Sequence, residues 1–154
     1  MKPATVLATL GPIGSIPGPK ATYASAVVVA IGWFLPVPSL LVALLLIALG
    51  TVIAVWACSE GEKELGHDAH PIVADEVIGQ SIALLLAPHS LLVFFAAFVL
   101  FRIYDITKPL GANQAQSLPG GFGIVADDFL AGIYSFLTLQ VLLWVAARLG
   151  FALP

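Results

Sequence analysis

LLVALLLIALGTVIAVWA, residues 40–57, is the stretch that decides the fold: 18 residues without a charge or a proline. A run of this kind lies within the roughly 17–25 residues that an α-helix needs to cross the hydrocarbon of a bilayer. The rest of the 154-residue chain agrees with it. Hydrophobic residues make up 60%, charged residues only 10%, and the mean hydropathy is +1.04, whereas soluble domains carry about 25% charged residues. A water-soluble globule does not fit this composition. The net charge of -3 comes from few groups and gives no footprint for nucleic acid. A single cysteine, Cys58, rules out an internal disulfide and a cysteine-based zinc site. At this length one domain, residues 1–154, is expected.

Upstream, residues 21–35 (ATYASAVVVAIGWFL) form a shorter apolar stretch closed by Pro36 and Pro38. Residues 1–20 hold Pro3, Gly11, Pro12, Gly14, Pro17, Gly18 and Pro19, a density of backbone breakers that predicts a loop or re-entrant segment. The apolar run at 6–10 is too brief for a signal-peptide core, so the N-terminus is expected to be retained. Downstream, residues 59–70 carry Glu60, Glu62, Lys63, Glu64, His67 and Asp68 and form the main aqueous segment. The apolar stretch 72–104 exceeds one span, and Ala87-Pro88-His89 divides it into a hairpin of helices at 72–87 and 90–104. A last helix is expected at 124–149. The fold class predicted is all-α: an integral membrane bundle of four to five short transmembrane or re-entrant helices.

Threading these helices through a bilayer sorts the charges. All nine acids fall on or near the starting side, with Lys2, Lys20, Lys63, Arg102 and Lys108, while the far side keeps Arg148 and His89. Lys and Arg in short loops mark the cytoplasmic side, so the active face is expected at the cytoplasmic interface.

Two adjacent acid pairs, Asp75-Glu76 and Asp127-Asp128, sit in otherwise apolar stretches, and Asp105 follows the third apolar run. Carboxylates bunched against apolar helices repel one another and resist desolvation. An all-oxygen ligand set of Asp75, Glu76, Asp105, Asp127 and Asp128 suits a hard divalent cation such as Mg²⁺ or Mn²⁺. Helix capping is the simpler alternative, since acids at helix starts are favoured by the macrodipole, but it accounts for one acid per helix rather than two. Arg102 and Lys108, with Asp105 between them at three-residue spacing, form either an exposed ion pair or a phosphate-binding pair. Gly120-Gly121-Phe122-Gly123 leads into the last helix, where glycine-rich backbone can bring N–H groups to an anion. Asp68, with His67 and His70 nearby, is a candidate for handling protons.

Three segments, HDAHPIVADEVIGQSIALLLAP, FRIYDITKPLG and GGFGIVADDFLAGIY, covering residues 67–134, resemble the signatures of the phosphatidylglycerophosphatase A family, approximately KDPxxIVxDEVVG, FRxFDxxKP and GGxGIMxDDxxAGI. The resemblance implies a membrane-bound, Mg²⁺-dependent lipid phosphatase of a bacterial inner membrane. Its substrate would be phosphatidylglycerophosphate and its product phosphatidylglycerol, made in phospholipid biosynthesis. Carried over by position, the catalytic acids implied are Asp68, Asp75, Glu76, Asp105, Asp127 and Asp128. The phosphate-binding set is Arg102, Lys108, Gly120 and Gly121. An amino-terminal PGTxGS element corresponds to Lys20-Ala21-Thr22-Tyr23-Ala24-Ser25, which lacks its proline and both glycines and leaves Thr22 and Ser25 as hydroxyl contacts. A divalent-cation or proton transporter is the alternative from another class. It would need polar groups through the membrane, and residues 40–57 and 82–101 hold almost none.

Overall fold

A computed structural model describes residues 2–36, 38–66, 69–109 and 111–151, apart from the side chain of Asn113. Among these residues every regular element is helical: α1 (Pro3–Ala8), a 3₁₀ turn (Ile13–Ser15), α2 (Lys20–Phe34), α3 (Leu40–Leu65), α4 (Ala74–Ala83), α5 (Leu91–Thr107), α6 (Ala112–Ala115) and α7 (Gly121–Arg148).

Several boundaries differ from expectation, each for a local reason. The amino-terminal segment is not a plain loop. Pro3 stands at the first helical turn of α1, where its missing N–H costs nothing, and α1 packs against α3. Helix α3 runs eight residues past the apolar stretch, through the acidic segment, until Gly66 ends it at φ 101. Helix α4 has only 10 residues, because residues 84–87 turn before Pro88 with Leu86 at φ 57. Helix α5 reaches Thr107 and is capped by Lys108 in the left-handed region, at φ 43, ahead of Pro109. Asp105 therefore lies inside the last turn of α5 rather than beyond it. Helix α7 begins at Gly121, so Asp127 and Asp128 sit almost two turns inside it. Capping cannot explain acids at that depth.

Helices α3 and α7 are long and apolar enough to cross a membrane. At 26 and 28 residues they extend about 39 and 42 Å, against about 30 Å of hydrocarbon. Their outer faces are apolar and exposed, with Leu41, Leu45, Leu49 and Val52 on α3 and Val141, Leu142 and Trp144 on α7. The interior is built from small side chains: Ala54, Ala57 and Cys58 of α3 meet Ile78 and Ile82 of α4 and Ile124 and Val125 of α7.

Helix α7 is the spine, in contact with α3, α4, α5 and α6. Its closest partner is α4, and two glycines set the distance. A Cβ on Gly132 would lie 2.5 Å from the Gly79 carbonyl oxygen, and one on Gly79 would lie 2.6 Å from that of Asp128. The backbones thus touch, as close-packed apolar helices do where small residues face each other. The two ends of the bundle differ in chemistry. One end holds the starts of α4 and α7 and the ends of α3 and α5. At the other, His89 stacks on Trp33 with ring centroids 4.1 Å apart.

Candidate metal and phosphate site

Asp75 and Glu76 occupy the first turn of α4. Gly79 stands four residues after Asp75 and Gly132 four residues after Asp128. An i, i+4 pair shares a helix face, so the backbone contact at Gly79 and Gly132 carries the acids of α4 toward Asp128. One carboxylate oxygen from each of Asp75, Glu76 and Asp128 falls within 4.8 Å of the others. Asp75 Oδ1 and Asp128 Oδ2 are buried without a hydrogen-bond partner. Buried acceptors left unsatisfied are costly. Three converging carboxylates, two with orphaned oxygens, have the hard-oxygen donor chemistry that a divalent cation satisfies, and the residues present fit such an ion.

The other two acids of the expected ligand set face cations instead. Arg102 Nη1 donates to Glu76 Oε2 at 2.9 Å and to Asp105 Oδ2 at 2.8 Å. Their side chains are 8–15% exposed, so the Arg102 and Asp105 pair is half-buried rather than a surface ion pair, and the buried Glu76 completes it. Arg102 Nε is also buried without a partner. Asp127 Oδ2 accepts from Lys108 Nζ at 2.5 Å, and its Oδ1 accepts from the Asp128 N–H at 3.0 Å. The adjacent pair thus divides: Asp128 turns to the carboxylate cluster, Asp127 to Lys108. Burial alone would lower the Lys108 pKa, but the hydrogen bond and charge of Asp127 outweigh it and hold the ammonium above its ordinary value.

The glycine-rich loop has another task than expected. The Gly121 N–H donates to Ser59 Oγ at 2.9 Å, and a Cβ on Gly121 would lie 2.2 Å from the Val55 carbonyl oxygen. The loop docks α7 on α3, and the Gly121 N–H is not offered to an anion. Gly120 makes the turn before it, at φ 63. In α2, Ser25 is buried and its hydroxyl donates to the Ala21 carbonyl, while Thr22 is half-buried on the same turn. Neither hydroxyl hydrogen-bonds to the acid cluster among the described residues. Asp68 and His67 lie outside the described residues, and His70 is exposed.

Sequence reasoning missed Gln80, which is fully buried with both amide atoms unpartnered. It stands one turn beyond Glu76 in α4. A polar residue inside VIGQSIALLL was the signal available for it.

Converging carboxylates thus lie beside guanidinium and ammonium donors, on a helical scaffold with two helices long and apolar enough to cross a membrane. The family model for phosphatidylglycerophosphatase A matches residues 6–143, and the chain belongs to that family of phosphoric monoester hydrolases. A protein of Bacteroides thetaiotaomicron provisionally named a phosphatidylinositol-3-phosphatase is 40% identical over 129 residues, 81% of each chain. The phosphatidylglycerophosphatase A of Escherichia coli is 40% identical over 94 residues, 59% of this chain and 55% of its own length. That of Haemophilus influenzae is 37% identical over 99 residues, covering 62% and 61%. The chain thus aligns with less than two thirds of either named phosphatidylglycerophosphatase. No solved structure matches it significantly.

Proposed function

We propose that the chain hydrolyses phosphatidylglycerophosphate to phosphatidylglycerol and inorganic phosphate at the cytoplasmic face of a bacterial inner membrane. The observation that carries this reading is the trio of half-buried Asp75 with buried Glu76 and Asp128, two of its oxygens orphaned, one residue contact away from Arg102. The trio would hold Mg²⁺. When bound, the ion supplies positive charge that favours a phosphoryl group entering the site and offsets charge developing there.

Arg102 is aligned by Glu76 and Asp105, which accept from the same Nη1; its Nε–H, which has no partner, is one of the guanidinium donors proposed for a phosphoryl oxygen. Lys108 keeps its charge through Asp127 and has further N–H donors for the same group. In hydrolysis the P–O bond to the lipid breaks, water's oxygen bonds to phosphorus, and the lipid oxygen takes a proton. Asp68, which corresponds to an acid of the family's first motif, is the residue proposed to handle that proton. The positive-inside distribution of Lys2, Lys20, Lys63, Arg102 and Lys108 supports the cytoplasmic orientation, and the apolar outer faces of α3 and α7 support a multi-pass membrane position.

A second substrate reading, a phosphoinositide phosphomonoester, is favoured by the relative that matches over 81% of both chains. Phosphate release from phosphatidylglycerophosphate and from phosphatidylinositol 3-phosphate, in matched mixed micelles with Mg²⁺, decides between them. At least tenfold higher kcat/KM on the first lipid is expected, and the reverse order would overturn the assignment.

A further inference from the structure

A groove of about 500 Å³ runs along α4 between α2 and α3, bounded by Gly32 of α2, Ile47 and Gly50 of α3, Val77 and Ser81 of α4, and Leu84 just past its end. Helices α2 and α3 make no contact with each other among the described residues, and α4 lies between them. The groove is therefore open sideways, and its rim includes Leu35 and Leu46, which are 58% and 59% exposed. Its walls are predominantly apolar, and Ser81, the one polar side chain on them, has its hydroxyl donating to the Val77 carbonyl at 2.6 Å.

We propose that this groove binds one acyl chain of the phospholipid substrate. This deepens, and rests on, the reading of the acid cluster as a site for a phospholipid headgroup. Val77 follows Glu76 directly, so the groove begins within one turn of the acid cluster and runs with α4 away from it, toward the end where Trp33 meets His89. A lipid with its phosphate at the cluster has its tails in that direction.

The glycines along the groove differ from those at the helix contacts. At Gly79, Gly121 and Gly132 an added Cβ would collide with backbone, so helix contact requires glycine there. At Gly32 it would meet only the side-chain ends of Phe94 at 3.5 Å and Leu84 at 3.6 Å, and at Gly50 only Ile78 Cδ1 at 3.2 Å. Helix packing does not demand glycine at 32, where a side chain would instead take up part of the groove beside Phe94 and Leu84. The size falls in the range of about 300–1,000 Å³ usual for small-molecule sites, and apolar walls select an acyl chain by burial alone.

The test uses the full chain in detergent micelles and a phosphatidylglycerophosphate analogue with a diazirine midway along one acyl chain. After photolysis, adducts mapped by mass spectrometry are expected on the groove walls, such as Ile47 and Leu84, and are expected to drop at least tenfold in Gly32→Leu. Gly32→Ala, with only ordinary contacts to make, gives an intermediate drop. In parallel, the ratio of kcat/KM for dioleoyl over dihexanoyl substrate falls about tenfold in Gly32→Leu, the equivalent of roughly two methylenes lost from burial. Adducts confined to outward residues such as Leu41 and Leu45, undiminished by either substitution, would overturn the groove. So would a groove closed by a second copy of the chain, seen as dimers that exclude the label. Groove adducts without phosphate release would keep the groove and sink the phosphatase reading; release with outward adducts only would do the reverse.

Discussion

Asp127 and Asp128 are neighbours in the chain and, by a rotation of about 100° per residue, opposite in use: one accepts from Lys108, the other joins Asp75 and Glu76. Substituting them should therefore give different kinetics. Asp128→Asn is expected to raise the Mg²⁺ concentration for half-maximal activity by about tenfold or more, as loss of metal-site partners does. Asp127→Asn is expected to raise the KM for lipid while leaving the Mg²⁺ dependence in place. Titrating each variant with Mg²⁺ and with lipid checks both, and a common Mg²⁺ shift would contradict the division. Arg102 holds the buried Glu76 and the half-buried Asp105, so Arg102→Met should cost about 3 kcal/mol, the low end for removing one partner from a buried ion pair; thermal unfolding in detergent measures it. For Lys108 the sign is that of a raised folded-state pKa. The stability its pairing supplies is full below the unfolded value and is lost only as pH rises through the higher folded one. Lys108 is thus expected to stay charged through pH 9, so activity between pH 7 and 9 should follow the same profile in the native chain and in Lys108→Arg; a loss within that window that Lys108→Arg abolishes would show otherwise. The acids and cations themselves were legible as doubled charges in apolar runs. Their pairing was not, because side-chain direction at 127 and 128 depends on what α4 and α5 place opposite them.

At the scale of elements, the contact between α4 and α7 sets the acid cluster. Gly79 and Gly132 stand one turn beyond Asp75 and Asp128, and each lets backbone meet backbone. Gly132→Ala must push α7 off α4, at about 1–3 kcal/mol for an overpacked core, and should depress activity more than stability. Equal activity and unfolding temperature to the native chain would refute that role. Helix identity was readable from apolar runs and prolines, since residues 40–57 and the break at Pro88 need no tertiary information. Helix length was not. The acidic tail of α3 continues as helix because Glu64 reaches Thr5 of α1, a contact 59 residues away in sequence. Gly120-Gly121 reads locally as a phosphate loop, yet the Gly121 N–H is taken by Ser59 of α3, which only the folded arrangement reveals.

For the whole molecule, one end of the bundle gathers the chemistry and the other closes it with short apolar turns, as the charge distribution along the chain implies. Helix α4, too short to cross a bilayer alone, places its first turn beside the ends of α3 and α5 and the early turns of α7, and leaves a lateral groove behind it. The central claim is that Asp75, Glu76 and Asp128 hold a divalent cation that the phosphatase reaction requires. Phosphate release from phosphatidylglycerophosphate, followed as Mg²⁺ is removed with EDTA and restored, for the native chain beside Asp128→Asn, tests it most directly. Release is expected to vanish with chelation and to return on adding Mg²⁺ in the native chain, with recovery in the variant only at much higher Mg²⁺. Undiminished release in EDTA, or a variant indistinguishable from the native chain, would contradict it.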